Sequence, residues 1–363
     1  MKIIQGKEFD SYWKNYSAKE DDEAVDAVVR EIIAAVRAEG DAAVKKFASQ
    51  FDKSSPQKLE VPVAEARNAL NKLRAEDPPL AWALELAAEN IKRFSQEQRK
   101  QLADFEFEMA PGLVTGQRVI PVAKAAVYIP GGRFPLFSSA LMCMIPAFCA
   151  GVEEVILSSP PGHNGLPDAK VLAAAAAAAQ AAGAKDAGFR VFAIGGAQAI
   201  SALALGTESI PRADLIAGPG NKYVAAAKRL LFGEVGIDFI AGPTDMLVIA
   251  DGADEAADLI AADMISQAEH DPDARARALV PNGELAAQIT AAIERRLQML
   301  PTEKTARASL DAGGLIIVYE TPEDAARIAN IIAPEHLELQ TADTETLLPL
   351  LQNYGSLFIG GFS

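Results

Sequence analysis

Two of the three histidines in this 363-residue chain have neighbours that could do chemistry with them. His270 follows Gln267 by three residues, and positions i and i+3 of a helix lie on the same face. An imidazole nitrogen and a carboxamide oxygen on one face could both contact a metal ion. The alternative is structural, because a histidine at the end of a helix also interacts favourably with the helix dipole.

The second of these histidines, His336, follows Pro334 and Glu335. Because proline suits the first position of a helix, the sequence predicts that Glu335 and His336 lie at a helix amino terminus. An adjacent imidazole and carboxylate can serve as general base and water activator, although a glutamate there is also an ordinary helix cap. The third histidine, His163, lies in a loop rich in proline and glycine and is expected to be solvated.

Glycines follow several of the predicted strands, at residues 131–132, 195–196 and 218–220. Glycine at the carboxyl end of a parallel strand lets the backbone approach a nucleotide closely, although such glycines are also common in turns. The dinucleotide fingerprint is incomplete, since Tyr223 stands where its third glycine belongs. Gln198 and Asn221 come just after two of these corners, and their carboxamides could bond ribose or nicotinamide groups.

Short β-branched runs alternate with helical patterns along most of the chain and must position these residues. Strands are predicted at 125–129, 154–157, 189–194 and 214–216, then at 237, 246–250, 277–280, 315–319 and 356–359. Helical spacing dominates residues 21–95 and returns at 254–270 and 283–300. We therefore expect an α/β protein with two Rossmann-like lobes, mainly parallel sheets and an amino-terminal helical segment.

Composition narrows the class of protein further. The formal net charge is −15 with a pI near 4.8, which disfavours binding to nucleic acid or to anionic membranes. Residues 134–152 are uncharged but interrupted by proline, serine and glycine, so a buried helix is expected rather than a membrane span. No signal peptide is visible, a disulfide between Cys143 and Cys149 is not expected, and a cytoplasmic location follows from both points.

Five short motifs in order resemble the histidinol dehydrogenase family. They are GGAQAI at 195–200, GPGN at 218–221, AGPT at 241–244, SQAEHD at 266–271 and APEHLE at 333–338, and residues 35–52 resemble the family's first helical pair. The resemblance implies a zinc-containing homodimer that oxidises L-histidinol twice with NAD, through L-histidinal to L-histidine, in histidine biosynthesis.

The resemblance also implies a role for each matching residue. His336 would be the general base, and Glu335 would activate water for the second oxidation. Gln267 and His270 would bind zinc, and both would contact substrate together with His336 and with Thr244, which stands where the family commonly has serine. Tyr128, Gln198 and Asn221 match the NAD-contact positions.

The implied lobes are discontinuous. Residues 1–20 would form an arm, residues 21–127 with 244–363 the lobe that carries the catalytic and metal residues, and residues 128–243 the NAD-binding lobe.

Three departures from the family pattern leave alternatives open. The chain ends at Ser363, before the segment in which family members carry an Asp and a His zinc ligand and a substrate-contacting Glu. Residues 133–138 are bulkier than usual, and Asp245 follows Thr244 where Glu is usual. A related enzyme acting on another amino alcohol or diol, or a non-catalytic remnant, are therefore the alternative readings.

Overall fold

The computed structural model describes residues 1–16, 23–52, 58–131, 136–184, 188–240, 244–251 and 256–361. The strands are β1 Lys2–Gln5, β2 Glu60–Val61, β3 Phe105–Ala110, β4 Leu113–Gln117, β5 Lys124–Tyr128, β6 Glu154–Ser159, β7 Phe189–Ala193, β8 Leu215–Ala217, β9 Gly236–Ile237, β10 Asp245–Ala250, β11 Arg275–Val280, β12 Leu315–Val318, β13 His336–Gln340 and β14 Ser356–Ile359.

The helices are α1 Phe9–Tyr16, α2 Glu23–Glu39, α3 Asp41–Phe51, α4 Val63–Glu76, α5 Pro78–Lys100, α6 Phe137–Ala150, α7 Ala169–Ala182, α8 Gly196–Leu205, α9 Lys222–Leu231, α10 Ala256–Ala268, α11 Gly283–Leu297, α12 Glu303–Gly313, α13 Pro322–Ile332 and α14 Thr344–Leu347.

The chain divides into two compact units, Met1–Glu20 with Gly242–Ser363 and Asp21–Ala241. This differs from the predicted lobes, which grouped residues 21–127 with 244–363. The reason is packing: the apolar faces of α2 to α5 are buried against the sheet of the second unit. Residues 1–20 are not a separate arm either, since β1 pairs with β12 inside the first unit.

The first unit is built on a six-stranded sheet that we call sheet A, in the order β1-β12-β11-β10-β13-β14. All of its strand pairs are parallel. Residues of α10, α11 and α12 pack on one face and residues of α1 and α13 on the other. Because the strands run in one direction, their first residues meet at a single edge.

The second unit contains sheet B, in the order β2-β7-β6-β5-β8-β9. Only the short β2 is antiparallel to its neighbour, β7. Residues of α4 to α7 cover one face, and residues of α2, α3, α8 and α9 cover the other. The expected α/β class, with two mainly parallel sheets, is therefore confirmed.

The apolar stretch at 134–152 was expected to form a buried helix, with no disulfide between Cys143 and Cys149. Its described part forms α6, which carries Pro146 and both cysteines, and Cys143 and Cys149 are free thiols. Among the helices that the structure describes, none is both long enough and apolar enough to cross a membrane.

The β3–β4 hairpin was not predicted. Phe, Glu, Phe, Glu and Met alternate along β3, and Pro111 and Gly112 make the turn, so the period of two and the turn dipeptide were both present in the sequence.

Candidate active site

Thr244 and Glu335 lie side by side at the amino edge of sheet A. Thr244 immediately precedes β10 and Glu335 immediately precedes β13, and these strands are paired in parallel with Met246 opposite His336. The sheet thus brings together residues that are 91 positions apart in the chain.

A chain of hydrogen bonds joins three of the predicted site residues. The Nε2 of Gln267 donates to the Thr244 hydroxyl oxygen, and that hydroxyl donates to the Glu335 Oε2 at 2.9 Å. Gln267 is buried and Glu335 is exposed. A solvent-facing carboxylate is therefore oriented by a buried amide through one hydroxyl, an arrangement that suits a group acting on water or substrate.

His336 begins strand β13, so the predicted helix amino terminus at residues 334–336 is wrong. Helix α13 ends at Ile332, and Ala333 has a φ of 51°, which turns the chain before Pro334. Leu337 and Leu339 alternate into the core, and this period of two makes a strand. The local helix signal of Pro334 is overridden by strand pairing on both sides.

The strand fixes the direction of the His336 side chain. Since Leu337 and Leu339 face the layer of α1 and α13, His336 lies on the opposite face, toward the layer of α10. The half-buried imidazole lies 6.0 Å from the Phe358 ring, measured between centroids. The imidazole is thus held by a strand rather than by a mobile loop.

Gly355 allows the segment before β14 to approach the Glu335 backbone closely. The amide of Ser356 donates to the Glu335 carbonyl oxygen at 2.8 Å, and that of Gly355 donates to Pro334 at 3.0 Å. A Cβ on residue 355 would lie 2.6 Å from the same Glu335 oxygen. The close approach that fixes the Glu335 backbone therefore requires glycine at this position.

Asp245, one of the departures from the family pattern, has a structural partner. Its carboxylate accepts two hydrogen bonds from Nη1 of the fully buried Arg277, at 2.8 and 2.9 Å. Burial raises the pKa of Asp245, whereas Arg277 acts to lower it. The Arg277 guanidinium in turn lies 5.3 Å from the Trp13 ring centroid. This pair anchors β10 directly beside Thr244.

Gln267 and His270, the two predicted metal ligands, do not share a helix. Helix α10 ends at Ala268, and His270 lies exposed in the following turn, where its amide bonds the Gln267 carbonyl at 3.3 Å. The helix thus ends two residues before the predicted end at His270, and a shared face for the two side chains stays a prediction. No group of three or more His, Cys, Asp or Glu residues within the described ranges is arranged to hold a metal ion. One imidazole and one amide oxygen do not fit a zinc site, which takes three or four protein ligands.

We expect the chain to lose added Zn²⁺ readily, because two neutral donors give weak chelation. After loading with one equivalent and dialysis against EDTA, less than about a tenth of the protein should retain zinc by atomic absorption. His270→Ala, compared with His163→Ala as control, should lower the residual affinity further. Stoichiometric zinc after dialysis would contradict this prediction.

A pair of carboxyl groups, Glu338 on β13 and Asp263 on α10, was not predicted. Gln340 Nε2 donates to Asp263 at 2.9 Å and to Glu338 at 3.2 Å, which joins β13 to α10. Burial, and then the charge of Asp263, raise the pKa of Glu338 to about 7. The two carboxyl groups therefore share a proton in weakly acidic solution.

This pair makes stability depend on pH. Because the pKa of Glu338 is raised on folding, unfolding releases a proton between about pH 4.5 and 7, and stability falls as the pH rises through that range. Glu338→Gln should therefore stabilise the chain more at pH 8 than at pH 5, by on the order of 2 kcal/mol.

Urea titrations at both pH values would measure this difference. Glu320→Gln, at an exposed glutamate of the same unit, is the matched control and should show no such difference. An effect of Glu338→Gln that is equal at the two pH values would contradict the assignment.

In the second unit, Tyr128 and Gln198 support a glycine corner. The Tyr128 hydroxyl accepts from the Gly196 amide at 3.0 Å, and Gln198 Nε2 donates to Asp52 at 3.4 Å. Burial raises the pKa of Tyr128 to about 12. Both side chains are almost fully buried. Tyr128 ends β5 and Gln198 lies just after β7, so both are at the carboxyl edge of sheet B. Nucleotides bind open α/β sheets at this edge.

Asn221 caps the amino terminus of α9. Its side-chain oxygen accepts from the amides of Tyr223 and Val224 at 3.0 and 3.2 Å, which leaves the amide nitrogen available as a donor. Gly218, three residues earlier, has a φ of 118°, and a Cβ there would lie 2.1 Å from the Tyr128 carbonyl oxygen. Glycine corners thus precede the starts of both α8 and α9, and a helix amino terminus is a place where anionic groups bind.

Comparison with known proteins agrees with this geometry. The family model "Histidinol dehydrogenase" matches residues 15–363. The chain is 44% identical to the histidinol dehydrogenase of Symbiobacterium thermophilum, over 93% of this chain and 74% of that protein. It is 41% identical to that of Pseudomonas aeruginosa, over 97% of this chain and 76% of the relative.

A solved structure, the histidinol dehydrogenase from Elizabethkingia anophelis, superposes with a TM-score of 0.87 at 33% identity and covers 100% of this chain and 80% of its own. Sequence match, relatives and architecture agree over nearly every residue. The chain belongs to the histidinol dehydrogenase family.

Proposed function

We propose that this chain is an oxidoreductase that oxidises L-histidinol twice with NAD, through L-histidinal to L-histidine, in histidine biosynthesis. The observation that carries the proposal is the hydrogen-bonded chain from Gln267 through Thr244 to Glu335, next to His336 on β13. Family membership adds the substrate class, since the matched relatives are histidinol dehydrogenases.

In the first oxidation, the His336 imidazole is the general base that accepts the proton of the substrate hydroxyl. Bound NAD would accept the hydride that leaves the carbon bearing this hydroxyl. Thr244, Gln267 and His270 are proposed to contact the substrate and to orient it, which converts binding energy into correct geometry. His336 then releases its proton to solvent before the next step.

In the second oxidation, Glu335 accepts a proton from a water molecule while the water oxygen bonds to the aldehyde carbon. The Thr244 hydroxyl donates to one carboxylate oxygen, so the other oxygen is free to face water. The former carbonyl oxygen takes up the proton held by Glu335, which completes the hydrate, and His336 then accepts a hydroxyl proton of that hydrate as the second hydride leaves. Each oxidation thus releases one hydride and one proton, and ionisation of the carboxylic acid formed in the second releases a further proton.

Gln267 and His270 are proposed as the two ligands that this chain offers to the family's zinc. Because they do not fit a zinc site by themselves, no step above is assigned to a metal.

NAD is proposed to bind at the carboxyl edge of sheet B, with Tyr128, Gln198 and Asn221 at the site. Nucleotides bind open α/β sheets at this edge, and the glycine corners leave room for close approach.

A related enzyme acting on another amino alcohol or diol is the alternative. The Asp245 departure gives it little support, because Asp245 is paired with Arg277 within the sheet. Half of the 133–138 departure lies outside the described residues, at 133–135.

The test is the amount of NADH formed per molecule of substrate. We expect two equivalents of NADH from each L-histidinol, with and without added Zn²⁺ compared in parallel. One equivalent, or a larger kcat/KM with a simple diol, would favour the alternative activity, and no NADH with any of these substrates would overturn the proposal.

A homodimer is also proposed, with the β3–β4 hairpin as its contact surface. An isolated two-stranded hairpin is marginally stable in water, and this one leaves Phe105, Phe107 and Met109 more than half exposed. The β4 sequence, Leu-Val-Thr-Gly-Gln, has no charge to protect a sheet edge from pairing.

The expected contact area supports a second copy as the partner. The five exposed apolar side chains of the hairpin, Leu113 and Val114 among them, offer on the order of 500 Å² per protomer, and two copies reach the ~1,000 Å² of a specific interface. Val114→Lys combined with Leu113→Lys should weaken dimerisation at least about tenfold by light scattering. Met299→Lys, at an exposed site on the other unit, is the control. A monomeric wild type, or an unaffected double variant, would contradict this surface.

A further inference from the structure

One buried ion pair holds both backbone polar groups of Gly218. The Gly218 amide donates to Asp238 Oδ2 at 2.8 Å, and its carbonyl oxygen accepts from Lys228 Nζ at 3.1 Å. Lys228 and Asp238 also form an ion pair with each other. We call Lys228, Asp238 and Gly218 the corner clamp.

Burying the two charged groups of the corner clamp costs hydration free energy. The side chain of Lys228 is only 3% exposed and that of Asp238 19%. Removing an ammonium group from water costs several kcal/mol, and a buried ion pair is seldom more stabilising than apolar residues of the same size. The Phe239 ring, 5.4 Å from Nζ, adds a cation–π contact. Such a pair is better explained by the conformation it selects than by stability.

The conformation concerned is that of residues 218–221. Lys228 lies on α9, and Asp238 directly follows β9, so the clamp ties two elements to the end of β8. On the other side, Gly218 already touches the Tyr128 carbonyl so closely that no Cβ would fit. Asn221 then caps α9, the helix that carries Lys228. The backbone of residues 218–221 is therefore held at both ends and has little conformational freedom.

We propose that Lys228 and Asp238 are positioning residues for NAD, which hold the 218–221 corner in its binding shape without contacting the cofactor. This inference rests on the proposed function, in which NAD binds at this edge of sheet B. A corner that is ordered before binding does not lose conformational entropy when the ligand arrives, so affinity is higher.

Two single variants break the clamp in different ways. Lys228→Met removes the donor to the Gly218 carbonyl, and Asp238→Asn removes the charge but keeps an acceptor for the Gly218 amide. Each should raise the Kd for NAD on the order of tenfold, measured by calorimetry, and leave the Kd for L-histidinol within about twofold. Hydrogen–deuterium exchange of the peptide that contains residues 218–221 should become faster without any ligand.

The matched control is the neighbouring ion pair on the same helix. Arg229 bonds Asp26 at 2.6 and 3.0 Å and so joins α9 to α2. Asp26→Asn should lower the melting temperature but leave the NAD Kd and the exchange of residues 218–221 unchanged.

A double variant separates positioning from stability. Lys228→Met with Asp238→Leu replaces the pair by apolar groups and should recover the melting temperature, while NAD affinity stays low. Recovery of NAD affinity together with stability, or wild-type Kd and exchange in both single variants, would overturn the inference. A wild type that does not bind NAD would overturn the proposed function instead, and the exchange data would still decide whether the clamp holds the corner.

Discussion

His336→Asn is expected to lower kcat with L-histidinol by on the order of 10²-fold or more, while the Kd for NAD stays within about twofold. Asparagine keeps a polar side chain at the start of β13 but cannot accept the substrate proton at neutral pH. The buried neighbours Leu337 and Leu339 are untouched, so the strand pairing that holds this position should persist. Steady-state kinetics and calorimetry on the same preparation would separate the two effects.

The matched control for this variant is His163→Asn. His163 is exposed in a turn of the second unit, so its replacement should leave both quantities unchanged. A His336→Asn variant with wild-type kcat would remove His336 from the reaction, and equal losses in both variants would point to a nonspecific effect.

Glu335→Gln is expected to separate the two oxidations. With L-histidinal supplied directly, the rate should fall by on the order of 10²-fold, because glutamine cannot take the proton from water. Formation of the first NADH from L-histidinol should fall by less than about tenfold, since that step needs no water. Rapid-mixing experiments with each substrate would measure the two steps separately.

Two further variants make this result specific. Thr244→Val removes the hydrogen bond that orients Glu335 and should slow the same step by a smaller factor, on the order of tenfold. Glu345→Gln, at an exposed glutamate of α14, should change neither step. Equal damage to both oxidations in Glu335→Gln would contradict the assigned role.

Much of the fold could be predicted because it depends on local periodicity. The β-branched runs that form β5 to β8 and β10 to β12 predict strands from local sequence alone, whichever strand each one pairs with. His336 shows the limit of that method. Its local cue, Pro334, favours a helix, whereas the strand is stabilised by β10 and β14, whose positions only the folded sheet determines.

The candidate site, like the fold, could be predicted only in part from local sequence. The residue types at Glu335, His336 and Gln267 pointed to chemistry, but the hydroxyl that links two of them, Thr244, was identified only through resemblance. The Asp263–Glu338 pair joins positions 75 residues apart, so no spacing rule could find it. Lys228 was open to detection, because it is a single lysine on the apolar side of α9, yet a lysine is usually expected at the surface.

The placement of Thr244, Glu335 and Gln267 at the amino edge of sheet A has an evolutionary consequence. These residues lie where the chain enters strands, so the segments that lead into β10, β11 and β13 would have to change for a new substrate to evolve. The loops at the opposite edge, after β12 and β13, can lengthen or diverge without touching the reacting groups. A directed-evolution library for altered specificity should therefore randomise the connections that enter these strands, which is the reverse of the usual choice for a parallel sheet.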